Sequence, residues 1–167
     1  MLKITFKDEP IEIKGEIPEE GSIAPNFELT DQTLHDVSLE SFGQKQKLLN
    51  VFVSLDTSVC AKSLHTFNQS AASDSNLVIL NISMDLPFAA SRFCKKEKLE
   101  NVITLSAFRS RFPDEYGLKI MDGPIRGLLS RAVFVLGEDN TILYRELVPE
   151  ITQEPNYAEA LKALRKR

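Results

Sequence analysis

A chain of 167 residues with a net charge of −4 is the size of one domain. With 43% apolar and 26% charged residues it is neither a disordered nor a fibrous sequence, and its acidic balance argues against nucleic acid as the main partner. No window approaches ~18 consecutive apolar residues, so no membrane span is expected. Residues 1–7 show neither the apolar core nor the cleavage pattern of a leader, and a cytoplasmic location is expected.

Residues 2–6 and 10–14 alternate apolar and polar around Lys7-Asp8-Glu9-Pro10 and predict a small hairpin. Residues 21–25 read as a loop, and residues 27–30 and 36–39 flank a further turn. The largely apolar run over 47–55 predicts a buried strand, a helix follows over 58–72, and a second buried strand over 76–84. Asp85-Leu86-Pro87 opens the next helix, with Asp85 or Leu86 near the cap and Pro87 in the first turn. That helix runs to about residue 99, and its Lys95-Lys96-Glu97-Lys98 stretch reads as a solvated face. A short strand is predicted over 102–105 and a helix over 108–116 ending at Gly117. Residues 131–136 and 141–148 form a hairpin around 137–140, and Pro155 precedes a terminal helix over 157–165.

Buried strands alternating with helices predict an α/β fold with a central mixed sheet and helices on both faces. The pattern is that of a thioredoxin-like core with an added N-terminal hairpin, one domain over residues 1–167.

The chain has two cysteines, Cys60 and Cys94. Cys60 follows Val51-Phe52-Val53-Ser54-Leu55 and falls in the first turn of the next helix. Backbone N–H groups are unpaired there and the helix dipole is positive, and both favour thiolate, the nucleophilic form. One such thiol with one partner suggests redox chemistry. In a reducing compartment a cysteine pair is more often catalytic, sensing or metal-binding than structural, although two inert buried thiols fit the count equally. His35 and His65 are too scattered to complete a zinc set, and the missing CxxC argues against a dithiol reductase.

Thr57, three residues before Cys60, can cap the helix or point into the same pocket as the sulfur. Asp56 is the competing cap; a carboxylate aimed at the thiol would disfavour thiolate, so it is expected to face elsewhere. Arg131 stands at the mouth of an apolar strand, where a buried guanidinium must be paired or face a polar pocket. An ordinary ion pair is the alternative there, and Arg92, Arg109 and Arg126 read as surface charges. Cys94 shares an apolar helical stripe with Ala90 and Phe93. It reads either as a core residue or as the thiol that attacks an oxidised Cys60; a disulfide needs Cα atoms within about 7 Å, so helices that hold them farther apart must partly unwind.

Ser54-Leu55-Asp56-Thr57-Ser58-Val59-Cys60 with Phe67-Asn68 resembles the active-site segment of the thiol peroxidases, the atypical two-cysteine peroxiredoxins. The likeness continues through Ser83-Met84-Asp85-Leu86-Pro87-Phe88-Ala89, Arg92-Phe93-Cys94, Asn101-Val102-Ile103-Thr104-Leu105-Ser106 and Leu128-Leu129-Ser130-Arg131-Ala132-Val133-Phe134-Val135-Leu136. It covers nearly the whole chain in order. The resemblance implies that Cys60 is the peroxidatic thiol and Cys94 the resolving one, and that Thr57 and Arg131 match the family's site threonine and arginine. It also implies a homodimer, recycling by thioredoxin, no metal or organic cofactor, and substrates from hydrogen peroxide to alkyl hydroperoxides.

Fast O–O cleavage also requires donors aimed at the oxygens as charge develops, for which backbone N–H groups, a hydroxyl and a guanidinium are suited. One motif position departs: in Pro-x-x-x-Thr-x-x-Cys the proline is Val53 here, which restores an N–H and frees φ. Ser58 also stands where many relatives carry proline or glycine. A second reading keeps the fold and makes the chain a redox sensor or binding module with weakened peroxidase activity.

Overall fold

The N-terminal hairpin forms as its alternation predicts. β1 (Leu2–Phe6) pairs antiparallel with β2 (Glu9–Ile13), placing Ile4 opposite Ile11, both buried. Lys7 and Asp8 make the turn at φ 52° and 66°, the left-handed conformation that tight hairpin loops demand. The structure, a computed structural model, describes residues 1–71, 74–100 and 102–164.

A short antiparallel pair follows, β3 (Leu29–Thr30) and β4 (Asp36–Val37), then a 3₁₀ turn over Leu39–Phe42. The core alternates strand and helix: β5 (Gln46–Val51), α1 (Ser58–Ala71), β6 (Leu77–Ser83), α2 (Pro87–Lys96), β7 (Ile103–Ser106) and α3 (Phe112–Glu115). The chain closes with β8 (Ala132–Leu136), β9 (Ile142–Leu147) and α4 (Tyr157–Ala163). Among the described residues seven strands make one mixed sheet in the order β4-β3-β7-β6-β5-β8-β9, with β7, β6 and β5 parallel and the other pairings antiparallel. This is the thioredoxin-like architecture with the added hairpin.

Side-chain alternation assigns the two faces. Leu48, Ile79, Val133 and Val135 pack against Phe67 of α1 and Ala160 and Ala163 of α4. Their neighbours Leu49, Val51, Leu80, Ile82 and Phe134 point the other way, onto Phe27, Phe112 and Tyr116. Burying each such side chain contributes roughly 1.5–3 kcal/mol. A third cluster lies toward the strand ends and joins Phe52, Val53, Leu55, Cys60 and Leu64 to Ala90 and Cys94, with the hairpin's Ile4 and Ile11 against it.

Three expectations shift. The strand predicted over 47–55 stops at Val51: Phe52 N–H still donates to the Ile82 carbonyl at 3.0 Å, but beyond it a side chain takes over from the ladder. The helix predicted over 108–116 is one turn, because the Ser110 hydroxyl accepts the Phe112 N–H and Pro113 has none to offer. It ends as expected before Gly117 at φ 67°, where any Cβ would collide with the Gly15 carbonyl. The helix predicted to residue 99 ends at Lys96, its cap at Glu97. Residues 72 and 165, predicted as helix ends, lie outside the described residues. Among the described residues no helix is long and apolar enough to cross a membrane.

Candidate active site

Cys60 is the third residue of α1 and is fully buried. Its N–H would otherwise have no partner in the first turn. The Thr57 hydroxyl accepts it at 3.3 Å and donates to the Ser54 carbonyl at 3.0 Å, while the Thr57 carbonyl accepts the Ala61 N–H at 3.1 Å. Thr57 therefore caps the helix; its hydroxyl is engaged with backbone, not with the sulfur. Asp56 is exposed and its N–H donates to the Ser54 hydroxyl at 3.1 Å.

Arg131 immediately precedes β8 and is 1% exposed. A charge so buried requires partners. Its Nη2 donates to Cys60 Sγ at 3.0 Å and its Nε to the Ile151 carbonyl at 2.9 Å. Among the described residues its Nη1 has no partner. Sulfur and guanidinium are thus fixed together, with one N–H-bearing nitrogen unspent. By contrast Arg109 pairs with Asp36 at 2.9 Å on the surface, and Arg92 and Arg126 are exposed.

The N-terminal hairpin sets the Ile151 carbonyl. Ile151 N–H donates to the Thr5 carbonyl at 2.9 Å, and Thr5 N–H to the Pro149 carbonyl at 2.8 Å. Between them the Glu150 carboxylate accepts from Asp8 N–H at 2.7 Å, the Thr5 hydroxyl at 3.0 Å, and both N–H and hydroxyl of Thr152 at 2.6 Å. Burial opposes its charge, but these donors hold the carboxyl down at about 2.

Cys94, 6% exposed on α2, is a free thiol like Cys60. Burial pushes its thiol upward, opposed by the Gln32 amide, which donates to Sγ at 3.6 Å and to the Thr104 hydroxyl at 2.8 Å. A cleft of about 440 Å³ opens beside it between Gln32, Ser91, Lys95 and Lys98. Both cysteines belong to one buried cluster, which also holds Val53. His65 Nε2 faces Glu97 Oε2 at 3.8 Å, and His35 bonds to the Thr33 hydroxyl; neither adjoins a cysteine among the described contacts.

Two groups at the site are not singled out by sequence reasoning. Gln32 carries no motif and reaches Cys94 only through the β3–β4 turn. Asp85 was expected near the cap of α2, yet Leu86 is the cap position and the Asp85 carboxylate turns to Ser54, Leu55 and Ser83. The available signal was a serine near the end of each of two strands, which the parallel pairing of β5 and β6 brings together.

A thioredoxin-like sheet presenting a buried thiol in the first turn of a helix, gripped by a guanidinium, defines the class of cysteine-dependent redox proteins. The Redoxin family pattern matches residues 19–161. A thiol peroxidase of Mycobacterium tuberculosis is 51% identical over 164 residues, which cover 98% of this chain and 99% of that one. A peroxiredoxin-like protein from Aquifex aeolicus superposes with a TM-score of 0.92 at 33% identity, covering 98% of this chain and 96% of that one. A thiol peroxidase from Chromobacterium violaceum gives 0.91 at 27% identity, covering 99% and 97%. The chain belongs to the Redoxin family and, within it, to the thiol peroxidases.

Proposed function

We propose that Cys60 is the peroxidatic thiol of this chain and Cys94 its resolving thiol. The chain is a thiol-dependent peroxidase, an activity that consumes a peroxide and a thiol reductant. The Cys60 thiolate attacks one peroxide oxygen; the O–O bond breaks and the other oxygen leaves, with a proton, as water or alcohol. Cys60 becomes a sulfenic acid. The Cys94 thiolate then attacks the Cys60 sulfur, hydroxide leaves as water, and a Cys60–Cys94 disulfide forms. A dithiol protein, thioredoxin in this reading, restores both thiols by exchange.

The observation that carries this is the 3.0 Å contact between Arg131 Nη2 and Cys60 Sγ, with Nη1 unspent beside it. The guanidinium holds the sulfur and keeps one nitrogen for the oxygens as the O–O bond stretches. Thr57 contributes by fixing the first turn through the Cys60 N–H. Hydrogen peroxide and alkyl hydroperoxides are the proposed substrates, with no metal or organic cofactor. Leu86 and Phe88 just past β6 and Phe108 just past β7 are 50%, 69% and 40% exposed, an apolar surface that suits a homodimer contact. The chain is proposed to act as one cytoplasmic domain.

The test is peroxide consumption coupled to thioredoxin, thioredoxin reductase and NADPH. Turnover by the unaltered chain, abolished in Cys60→Ser and unable to recycle in Cys94→Ser, supports the cycle. No turnover by a folded protein with two free thiols favours the sensor reading.

A further inference from the structure

β5 and β6 run parallel and leave the sheet side by side, with Val51 opposite Ile82. From Val51 the chain has only residues 52–57 in which to deliver Thr57 and Cys60 to the site. That loop has left the sheet, so its polar groups need other partners. Asp85 supplies them from the start of the β6–α2 connection. Its Oδ1 accepts the Ser54 hydroxyl at 2.8 Å, and its Oδ2 accepts the Leu55 N–H and the Ser83 hydroxyl, each at 2.8 Å.

The contacts continue without a break to the nucleophile. The Ser54 hydroxyl accepts the Asp56 N–H at 3.1 Å, and the Ser54 carbonyl accepts the Thr57 hydroxyl at 3.0 Å and the Thr57 N–H at 3.2 Å. The Thr57 hydroxyl then accepts the Cys60 N–H at 3.3 Å. Among the described residues Asp85 gives no side-chain bond to the helix it precedes, whose cap position is Leu86. A carboxylate near a reacting thiolate is electrostatically unfavourable. Its value here is geometric: one acceptor group that ties the end of β6 to the loop that follows β5.

We propose that Asp85 is a positioning residue for peroxide reduction, holding loop 54–57 so that Thr57 and the first turn of α1 fix Cys60 against Arg131. The proposal rests on Cys60 being the peroxidatic thiol. Asp85 acts through the loop and touches neither sulfur nor peroxide.

Two second-order rates of Cys60 separate this role from general support of the fold. Both are measured on full-length reduced protein in a Cys94→Ser background, well below its melting temperature. Iodoacetamide alkylation needs an accessible thiolate; oxidation by hydrogen peroxide also needs donors aligned on the oxygens. In Asp85→Ala the peroxide rate is expected to fall by about 30-fold, because small misplacement of reacting groups is amplified in the rate. Alkylation stays within about 3-fold, since losing the carboxylate does not disfavour thiolate. Asp85→Asn keeps all three links available, because the Ser54 hydroxyl accepts as readily as it donates, and should recover the peroxide rate to within about 5-fold of the parent. Ser54→Ala removes the hydroxyl's bonds to Asp85 and from the Asp56 N–H without touching β6 or α2, and covers the case in which Asp85→Ala does not fold; a fall of about 5-fold in the peroxide rate alone is expected.

Equal losses in both rates, or an unchanged peroxide rate in folded Asp85→Ala or Ser54→Ala, overturn the proposal. Peroxide reactivity that survives Cys60→Ser overturns the underlying reading and the proposal together. Loss of reactivity in Cys60→Ser with the Asp85 variants unaffected overturns the proposal alone.

Discussion

Arg131 reaches Cys60 Sγ through Nη2 at 3.0 Å while its Nε is anchored on the Ile151 carbonyl at 2.9 Å. One planar group therefore spans the Cys60 sulfur and a loop tied to the N-terminal hairpin. A lysine cannot reproduce this fork, because its single ammonium cannot span both acceptors with fixed geometry. Arg131→Lys is expected to lower the second-order rate with hydrogen peroxide by about 100-fold or more while the far-UV circular dichroism is unchanged. Stopped-flow oxidation of the reduced protein checks this.

Glu150 links the hairpin to that anchor. Its carboxyl lies at about 2 in the folded chain against an ordinary value of 4.5, because the donors from Asp8, Thr152 and Thr5 outweigh the opposing burial. A folded value below the unfolded one means that the contribution is complete above about pH 4.5 and is lost as pH falls toward about 2. Glu150→Gln should lower the melting temperature at neutral pH and weaken its dependence on pH between about 4.5 and 2. Because Ile151 is displaced with it, the peroxide rate should fall too. Thermal melts across that window, with one rate at neutral pH, check both.

Val53 is 6% exposed and packs in the same cluster as Cys60 and Leu55. It lies past the end of β5, and among the described residues its N–H donates no hydrogen bond. Proline there sacrifices no bond and restricts a loop that must hold one shape. Val53→Pro should fold with stability within about 1 kcal/mol of the parent and raise the peroxide rate by roughly 3-fold. Identical rates and identical thiol accessibility would show that the position does not tune the site.

Beneath the two cysteine-bearing helices the sheet is polar. Asn50, Asn81 and Thr104 stand side by side across β5, β6 and β7. Asn50 donates to Ser63 at 3.3 Å and to Asn81 at 3.0 Å, leaving its own Oδ1 without a partner among the described residues. The row continues through Thr104 to Gln32 and Cys94. The helix segments resting on such a row lose less apolar burial when they open than the C-terminal half of α1, where Phe67 packs on Leu48 of the same face. Amides over 58–64 and 90–96 should exchange about 100-fold faster than those over 78–82 in the reduced protein; equal protection would contradict this.

The strands carrying most of the core announce themselves as apolar runs, and Cys60 is placed by the strand that precedes it and the helix that follows. The hairpin around Lys7-Asp8 is equally legible, because turn chemistry is local. Arg131 could be suspected from its position at the mouth of β8, but its anchor on Ile151 depends on a loop folded back by Thr5 and Glu150. Asp85 reads as a helix-opening residue until β5 and β6 pair and bring Ser54 and Ser83 to the same carboxylate. Asn50 and Asn81 look like interruptions in apolar strands, and only the register shows them as one row. The helix expected over 108–116 failed for a local reason: Ser110 and Pro113 take away the bonds that would start it earlier.

The central claim is that Cys60 is oxidised first and Cys94 resolves it. Intact-mass analysis after one equivalent of hydrogen peroxide tests it most directly, applied to the unaltered chain, Cys60→Ser and Cys94→Ser, each with a sulfenic-acid trap. The account predicts loss of two hydrogens and a Cys60–Cys94 cross-link in the unaltered chain. It predicts a trapped sulfenic acid on Cys60 in Cys94→Ser, and no rapid modification in Cys60→Ser. A trapped sulfenic acid on Cys94 in Cys60→Ser at the parent rate, or no cross-link in the unaltered chain, would contradict it.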